Sequence, residues 1–308
     1  DYWVTLQIAA RILSAADRGG SALRTTRLRN PMAEDQNRRQ LQANLRRFIA
    51  FRLLYSARFY YPVFTVLFLD YGLSLEQFAI LNIVWALTIV SAEVPSGALA
   101  DIVGRKRLLV FAAALMVLEM ALIAFAPIAG FAAADTAAGA VQDHAAGGSL
   151  LFWLFLGNRL CSGLSEAAAS GADEALAYDS LKALGREEEW AHFLETLTRV
   201  VSVGFFVSMI LGGLVYDAAV VNGVLGALDP SLSLAQTSVI RLPVILTLLS
   251  SLVVLGVALS FYDIDRQRLA RRREASAGAQ TAAQRLLQPF VQIAAAARWT
   301  LDHRFVLF

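Results

Sequence analysis

Three ionisable side chains, Arg58, Glu119 and Arg159, stand inside long apolar stretches of the 308-residue sequence. An ionised group at the centre of a hydrocarbon layer costs about 2.5–3.5 kcal/mol on insertion scales, so each one demands a partner or a purpose. Two cations and one anion make a partly compensated polar cluster, in which Glu119 is expected to pair with Arg58 or with Arg159. Protonation of Glu119 would weaken such a pair, and a carboxyl that changes charge beside a fixed cation is the chemistry of proton coupling. The surplus cation would suit an anionic or carboxylate-bearing solute, to which Asn158, next to Arg159, offers hydrogen bonds. A structural ion pair that only fixes helix packing is the alternative reading of the same charges, and a helix–helix contact is the alternative for Asn158. Glu166 lies further along the same apolar run and could serve this cluster or the inner end of the molecule; an interfacial charge that reaches water is the alternative reading. Other chemistries are excluded. Cys161 is the sole cysteine, which rules out a disulfide framework or a multi-cysteine metal site. His144, His192 and His303 all lie in polar stretches, so no metal and no other cofactor is expected.

Holding three charges at one depth requires long apolar elements. The chain is 57% hydrophobic and 17% charged, against about 45–50% and about 25% in soluble domains. Its mean hydropathy is +0.55. Six runs, near 49–69, 77–97, 108–127, 149–169, 197–216 and 240–261, are each long enough to cross a hydrocarbon core of about 30 Å. The short alternating segments of a transmembrane barrel are absent. The expected fold is therefore all-α: a polytopic membrane protein with a six-transmembrane-helix bundle. Arg58 lies eleven residues before Leu69, Glu119 eleven beyond Leu108 and Arg159 ten beyond Ser149. At 1.5 Å per residue each is roughly 15–16 Å from a boundary, near the midplane.

Charge sets the orientation. Segments 70–76, 128–148 and 217–238 contain no Lys or Arg, whereas the alternate segments carry Arg46, Arg47, Arg105, Lys106, Arg107, Lys182, Arg186 and the 266–273 arginine cluster. Cytoplasmic loops keep the positive charge, so the N-terminus is expected in the cytoplasm. A net charge of +2 excludes an extended nucleic-acid-binding surface. Residues 1–48 read as a cytoplasmic N-terminal segment. Arg11 interrupts their only apolar stretch, so they are no signal peptide, and Met32 is the expected natural start, opening a polar helix-forming stretch over 32–47. The six-helix unit covers 49–261, a charged Ala-rich cytoplasmic linker 262–298, and the start of a truncated seventh helix 299–308. A cytoplasmic helix is expected over 173–195.

The second apolar run ends in Gly97-Ala98-Leu99-Ala100-Asp101 and the fifth in Gly213-Leu214-Val215-Tyr216-Asp217. The same Gly-x-x-x-Asp at the inner end of one and the outer end of the other suits two three-helix units of opposite topology, a 3+3 inverted repeat. The connection that follows the second run reads Gly97-Ala98-Leu99-Ala100-Asp101-Ile102-Val103-Gly104-Arg105-Lys106-Arg107-Leu108-Leu109, with Glu93-Val94-Pro95-Ser96 in front. Gly97 would let a neighbouring helix pack close, and Gly104 would take the positive φ of a tight turn. This stretch closely resembles the cytoplasmic signature of the major facilitator superfamily, G-x-L-x-D-x-x-G-R-K-x-x-L. Arg159, Gly163 and Ala167 add an R-x-x-x-G-x-x-x-A pattern similar to a second motif of that family. The likeness covers about 49–308, one six-helix half plus the central linker.

The resemblance implies a secondary active transporter that moves a small organic solute by alternating access, coupled to protons, in a bacterial cytoplasmic (inner) membrane. It implies no enzyme activity, and it implies a partner in a missing C-terminal six-helix half. It also implies a gating role for Glu93, Pro95, Gly97, Asp101, Gly104, Arg105 and Lys106, with topology anchoring the alternative for Arg105 and Lys106 and a packing kink the alternative for Pro95. Arg105 would meet an acid at the inner end of the fourth helix, where Asp173 and Glu174 stand. The rival is a six-helix membrane scaffold or sensor without transport. The Gly-Pro pair typical of the family's antiporters is missing from the fifth run, and no GxxxxGK[ST] loop for nucleotide is present.

Overall fold

The computed structural model describes residues 31–128 and 141–264. The expected segment before residue 31, the linker beyond Ile264 and the start of a seventh helix lie outside the described residues. All regular structure among the described residues is helical. The order is α1 (Pro31–Ser56), a 3-10 turn (Tyr61–Val63), α2 (Phe64–Tyr71), α3 (Leu75–Val103), α4 (Arg105–Ala124) and α5 (Val141–Ala169). It continues with α6 (Ala172–Ala183), a 3-10 turn (Glu187–Glu189), α7 (Trp190–Tyr216), α8 (Ala218–Leu228), α9 (Gln236–Val239) and α10 (Leu242–Ser260). Four helical segments, Leu75–Glu93, Arg105–Ala124, Glu187–Tyr216 and Gln236–Ser260, are long and apolar enough to cross a membrane. Only 6% and 11% of the apolar windows of α3 and α7 are buried in the bundle. Ile83, Leu87, Val90, Val203 and Phe206 therefore face outward, an apolar surface compatible with a multi-pass membrane protein.

Two of the six expected spans depart from this pattern, and they are the two that carry the arginines. The run over 149–169 lies on α5, where Asn158, Arg159 and Glu166 dilute its hydropathy. The run over 49–69 is not one helix. α1 stops at Ser56, residues 57–60 are non-helical, and the chain re-enters helix at Phe64. Pro62 explains the break: its ring clashes with the carbonyl of the residue four before it, Arg58, and it has no N–H to bond that carbonyl. The exposed backbone groups are satisfied from α10. Phe59 N–H donates to Thr247 Oγ1 at 3.1 Å, and Ser250 Oγ donates to the Leu54 carbonyl at 3.1 Å. Non-helical backbone at such depth is tolerated only when protein groups take over its hydrogen bonds.

Three further expectations are corrected. α3 runs on through Pro95, Gly97 and Asp101 to Val103, so Gly97-x-x-x-Asp101 lies inside a helix, while Asp217 ends α7 and caps α8 by accepting from Ala219 N–H at 2.8 Å. The two Gly-x-x-x-Asp motifs therefore do not occupy equivalent positions. A Cβ on Gly97 would meet nothing within 4 Å, so that glycine does not mediate close packing; Gly163 does, where a Cβ would lie 2.8 Å from Thr88. The polar stretch 173–195 is divided between α6 and the first turns of α7 by a turn at Gly185, φ +70°. α8 itself was not anticipated.

The buried apolar residues form two main clusters, one above the other. Phe51, Tyr55, Ala112, Met116 and Val254 belong to the inner one, and Tyr60, Phe68, Met120, Phe155 and Val244 to the outer. Arg58, Glu119 and Arg159 each fall in sequence between members of the two clusters, at the waist of the bundle. α7 passes so near the break in the first span that a Cβ on Gly212 would overlap the Phe59 carbonyl, whereas one on Gly213 would meet nothing. Gly212→Ala should therefore destabilise the protein by about 1–3 kcal/mol, the usual cost of overpacking. Gly213→Ala should stabilise it by up to about 1 kcal/mol through helix propensity. Unfolding midpoints in detergent measure both, and equal shifts of the two variants would contradict the close approach.

Candidate functional site

Arg58 sits in the non-helical stretch between α1 and the 3-10 turn, its side chain 3% exposed, and Glu119 on α4 is fully buried. Arg58 Nη1 donates to Glu119 Oε1 at 2.7 Å. A charge-assisted bond of this length is among the strong ones, and burial on both sides removes the screening that weakens surface pairs. Tyr60 Oη donates to the same carboxylate oxygen at 3.4 Å, and Asn158 Nδ2 donates to the Glu119 main-chain carbonyl at 2.8 Å. The second oxygen, Glu119 Oε2, has no partner among the described residues. Arg58 also lies 5.4 Å from the Tyr55 ring and 5.8 Å from the Tyr61 ring.

Arg159 is equally buried but does not pair with Glu119. Its Nε donates to Asn158 Oδ1 at 2.9 Å, and its guanidinium lies 5.1 and 5.2 Å from the Phe64 and Phe68 rings. Nη2 has no hydrogen-bond partner among the described residues. All four residues singled out for substrate or proton coupling, Arg58, Glu119, Asn158 and Arg159, are thus brought together. Of the two expected pairings of Glu119, the one with Arg58 is present.

A cavity of about 510 Å³ opens beside the cluster, lined by Arg52, Tyr55, Arg58, Tyr61, Glu166 and Phe205 among others. Its volume falls in the range of small-molecule sites. Tyr55 is anchored at its edge: the hydroxyl meets Ser165 Oγ at 2.8 Å, and Ser165 spends its own hydrogen on the Ala112 carbonyl.

The residues around the α3–α4 turn build a separate assembly. Gly104, φ +102°, is the only residue between α3 and α4, so the reversal needs the left-handed conformation that glycine tolerates. It places Arg105 against α6, where the side chain donates to the Ala175 carbonyl at 3.1 Å and pairs with Asp179. The expected acids, Asp173 and Glu174, do not take this role. Asp173 binds Arg52 at 2.8 Å and accepts from Glu174 N–H at 2.6 Å, while Glu174 is exposed. The reason is helical geometry: Ala175 and Asp179 are four apart on one face of α6, and Asp173 starts a different one. Burial pushes the Asp173 carboxyl above its ordinary value, with the Arg52 guanidinium pulling against it. Glu93, exposed, accepts from Ser170 at 3.3 Å, and Ser96 beside Pro95 donates to the Ala167 carbonyl, tying α3 to α5. Lys106 is half-buried, and the side chain of Asp101 lies outside the described residues.

Sequence reasoning did not single out Arg52, Tyr55, Thr247 or Asp179 for the site. Pro62, inside an apolar run, was the available signal for the helix break; nothing in the spacing points to Asp179. Comparison of the chain with protein-family models, with curated proteins and with solved structures returned no match.

Arg58→Met should cost about 3–5 kcal/mol, because it strands a buried carboxylate. Arg58→Met with Glu119→Met should cost less than either single change, and additive losses in detergent unfolding would contradict a direct pair. In the same assay Arg105→Ala should couple to Asp179→Ala in a double-mutant cycle and be additive with Asp173→Ala.

Proposed function

We propose that the protein is a secondary transporter of the major facilitator type, moving a small organic solute across a bacterial cytoplasmic membrane by alternating access with proton coupling. The observation that carries this reading is the Arg58–Glu119 pair. It is buried between two apolar clusters, seated on a broken helix, and set beside a cavity of small-molecule size. A structural ion pair would be equally buried, but it would need neither a helix break nor an adjoining cavity. Broken helices with polar side chains at half depth are how transporters build their sites. In the cycle, Arg58 pairs with Glu119, and a proton arriving at Oε2 would neutralise the carboxylate and release the guanidinium. The helices around the cavity would then be free to rearrange.

The α3–α4 loop is assigned the latch, with Arg105 held on α6 by Asp179 and the Ala175 carbonyl. The signature residues 97–109 support the family assignment, and the Lys- and Arg-free segments 70–76, 128–148 and 217–238 support a cytoplasmic N-terminus. A second six-helix half would supply the facing wall of the cavity and cover the outward apolar surfaces of α3 and α7.

The test is solute-dependent proton flux into liposomes that hold the full gene product and a trapped pH dye. A panel of small organic anions, zwitterions and cations would be offered under an imposed pH gradient. The wild type should respond to at least one solute. Glu119→Gln, still monodisperse and helical, should fall to the background of empty liposomes. Unchanged flux in that variant, or no solute response from the wild type, would overturn the proposal.

A further inference from the structure

We infer that the cavity takes an organic cation, an ammonium-bearing and preferably aromatic solute, and that Glu166 is the residue that recognises it. The inference names the cargo class of the transporter proposed above and rests on that reading only for the word cargo. The ground is the placement of charge. Counting the midplane charges along the sequence leaves one cation in surplus and points to an anionic solute. That surplus cation, Arg159, does not line the cavity; it is 3% exposed, folded into the wall over the rings of Phe64 and Phe68.

The two arginines that do line the cavity are each already neutralised. Arg52 binds Asp173 at 2.8 Å, and Arg58 binds Glu119 at 2.7 Å. Glu166 is different. It lines the same cavity, half-buried on α5, and its carboxylate has neither an ion pair nor a hydrogen bond among the described residues. The lining thus presents two compensated cations and one uncompensated anion.

Aromatic side chains complete the site. Tyr61 and Phe205 line the cavity with Glu166 and are 39% and 37% exposed, so their faces are available to a ligand. Aromatic faces beside a carboxylate attract an organic ammonium through the ring quadrupole and direct charge. An anion would meet the same rings and the unpaired carboxylate with no free cation to hold it.

The test uses two aromatic ions of similar size and opposite charge, benzyltrimethylammonium and benzenesulfonate. Each is titrated calorimetrically into the purified full gene product in detergent at fixed ionic strength. Benzyltrimethylammonium should bind and benzenesulfonate should not. Glu166→Gln should weaken the cation by about tenfold or more, about 1.4 kcal/mol per decade, and Glu166→Asp should recover part of the loss. All variants are checked for unchanged helicity and a single size-exclusion peak. Binding of benzenesulfonate as tight as that of the cation, binding of neither, or unchanged cation binding by Glu166→Gln would overturn the inference. The titration needs no membrane and no gradient, so its failure leaves the Glu119 flux test standing. Cation binding without any solute-dependent flux would instead sink the transporter reading alone.

Discussion

One guanidinium and one carboxylate, held 2.7 Å apart where almost no water reaches them, set the terms for the rest of the bundle. Desolvating two such ions costs several kcal/mol each, and their attraction repays this only with good geometry and further hydrogen bonds. The surroundings read as a response to that cost. Tyr60 and Asn158 converge on Glu119, one on its carboxylate and one on its main chain, and Tyr55 and Tyr61 lay their rings beside Arg58. Members of the two apolar clusters flank both residues of the pair in sequence. One oxygen, Glu119 Oε2, has no hydrogen-bond partner among the described residues. In a site built only for packing, an unmet acceptor is a cost with no return. In a proton-coupled transporter it is the point of entry.

The helix break is the second half of the same design. Ending α1 at Ser56 frees backbone groups that must be met in an apolar interior, and α10 meets them with Thr247 and Ser250, while α7 closes in through Gly212. From the break, α1 carries charge back toward the inner end. Arg52 binds Asp173 at the start of α6, and α6 holds Arg105 of the α3–α4 turn through Asp179. Two separate ion pairs on α6 thus tie it to the α3–α4 turn and to the wall of the cavity. In the proposed cycle these are the two places that would have to move together.

Much of this was legible in the residues. Hydropathy and length located the four apolar helices, because a stretch with so few charges in about 20 positions has few other places to go. The midplane charges were legible too, since an arginine or glutamate in such a run is conspicuous, and depth follows from counting. Gly104 declared its turn. The failures have physical causes. The first span was read as continuous because its hydropathy is continuous, although Pro62 forbids a normal helical carbonyl at Arg58. Asp179 was missed because the choice among the acids of α6 depends on which helical face meets α4, a tertiary fact. The lining of the cavity was not legible for a similar reason: composition counts charges, but only packing decides that Arg159 is buried against Phe64 and Phe68 while Glu166 lines the cavity.

The most direct measurement is infrared difference spectroscopy of the reconstituted protein, following the carboxyl stretch as pH is lowered, with Glu119→Gln as the reference that isolates one side chain. The account predicts a carboxylate band assigned to Glu119 near neutral pH, converted to a protonated carboxyl band on acidification and absent from the variant. A Glu119 band that stays in one protonation state over the whole range in which proton-linked flux is seen would contradict it. The buried pair would then be only a brace between helices.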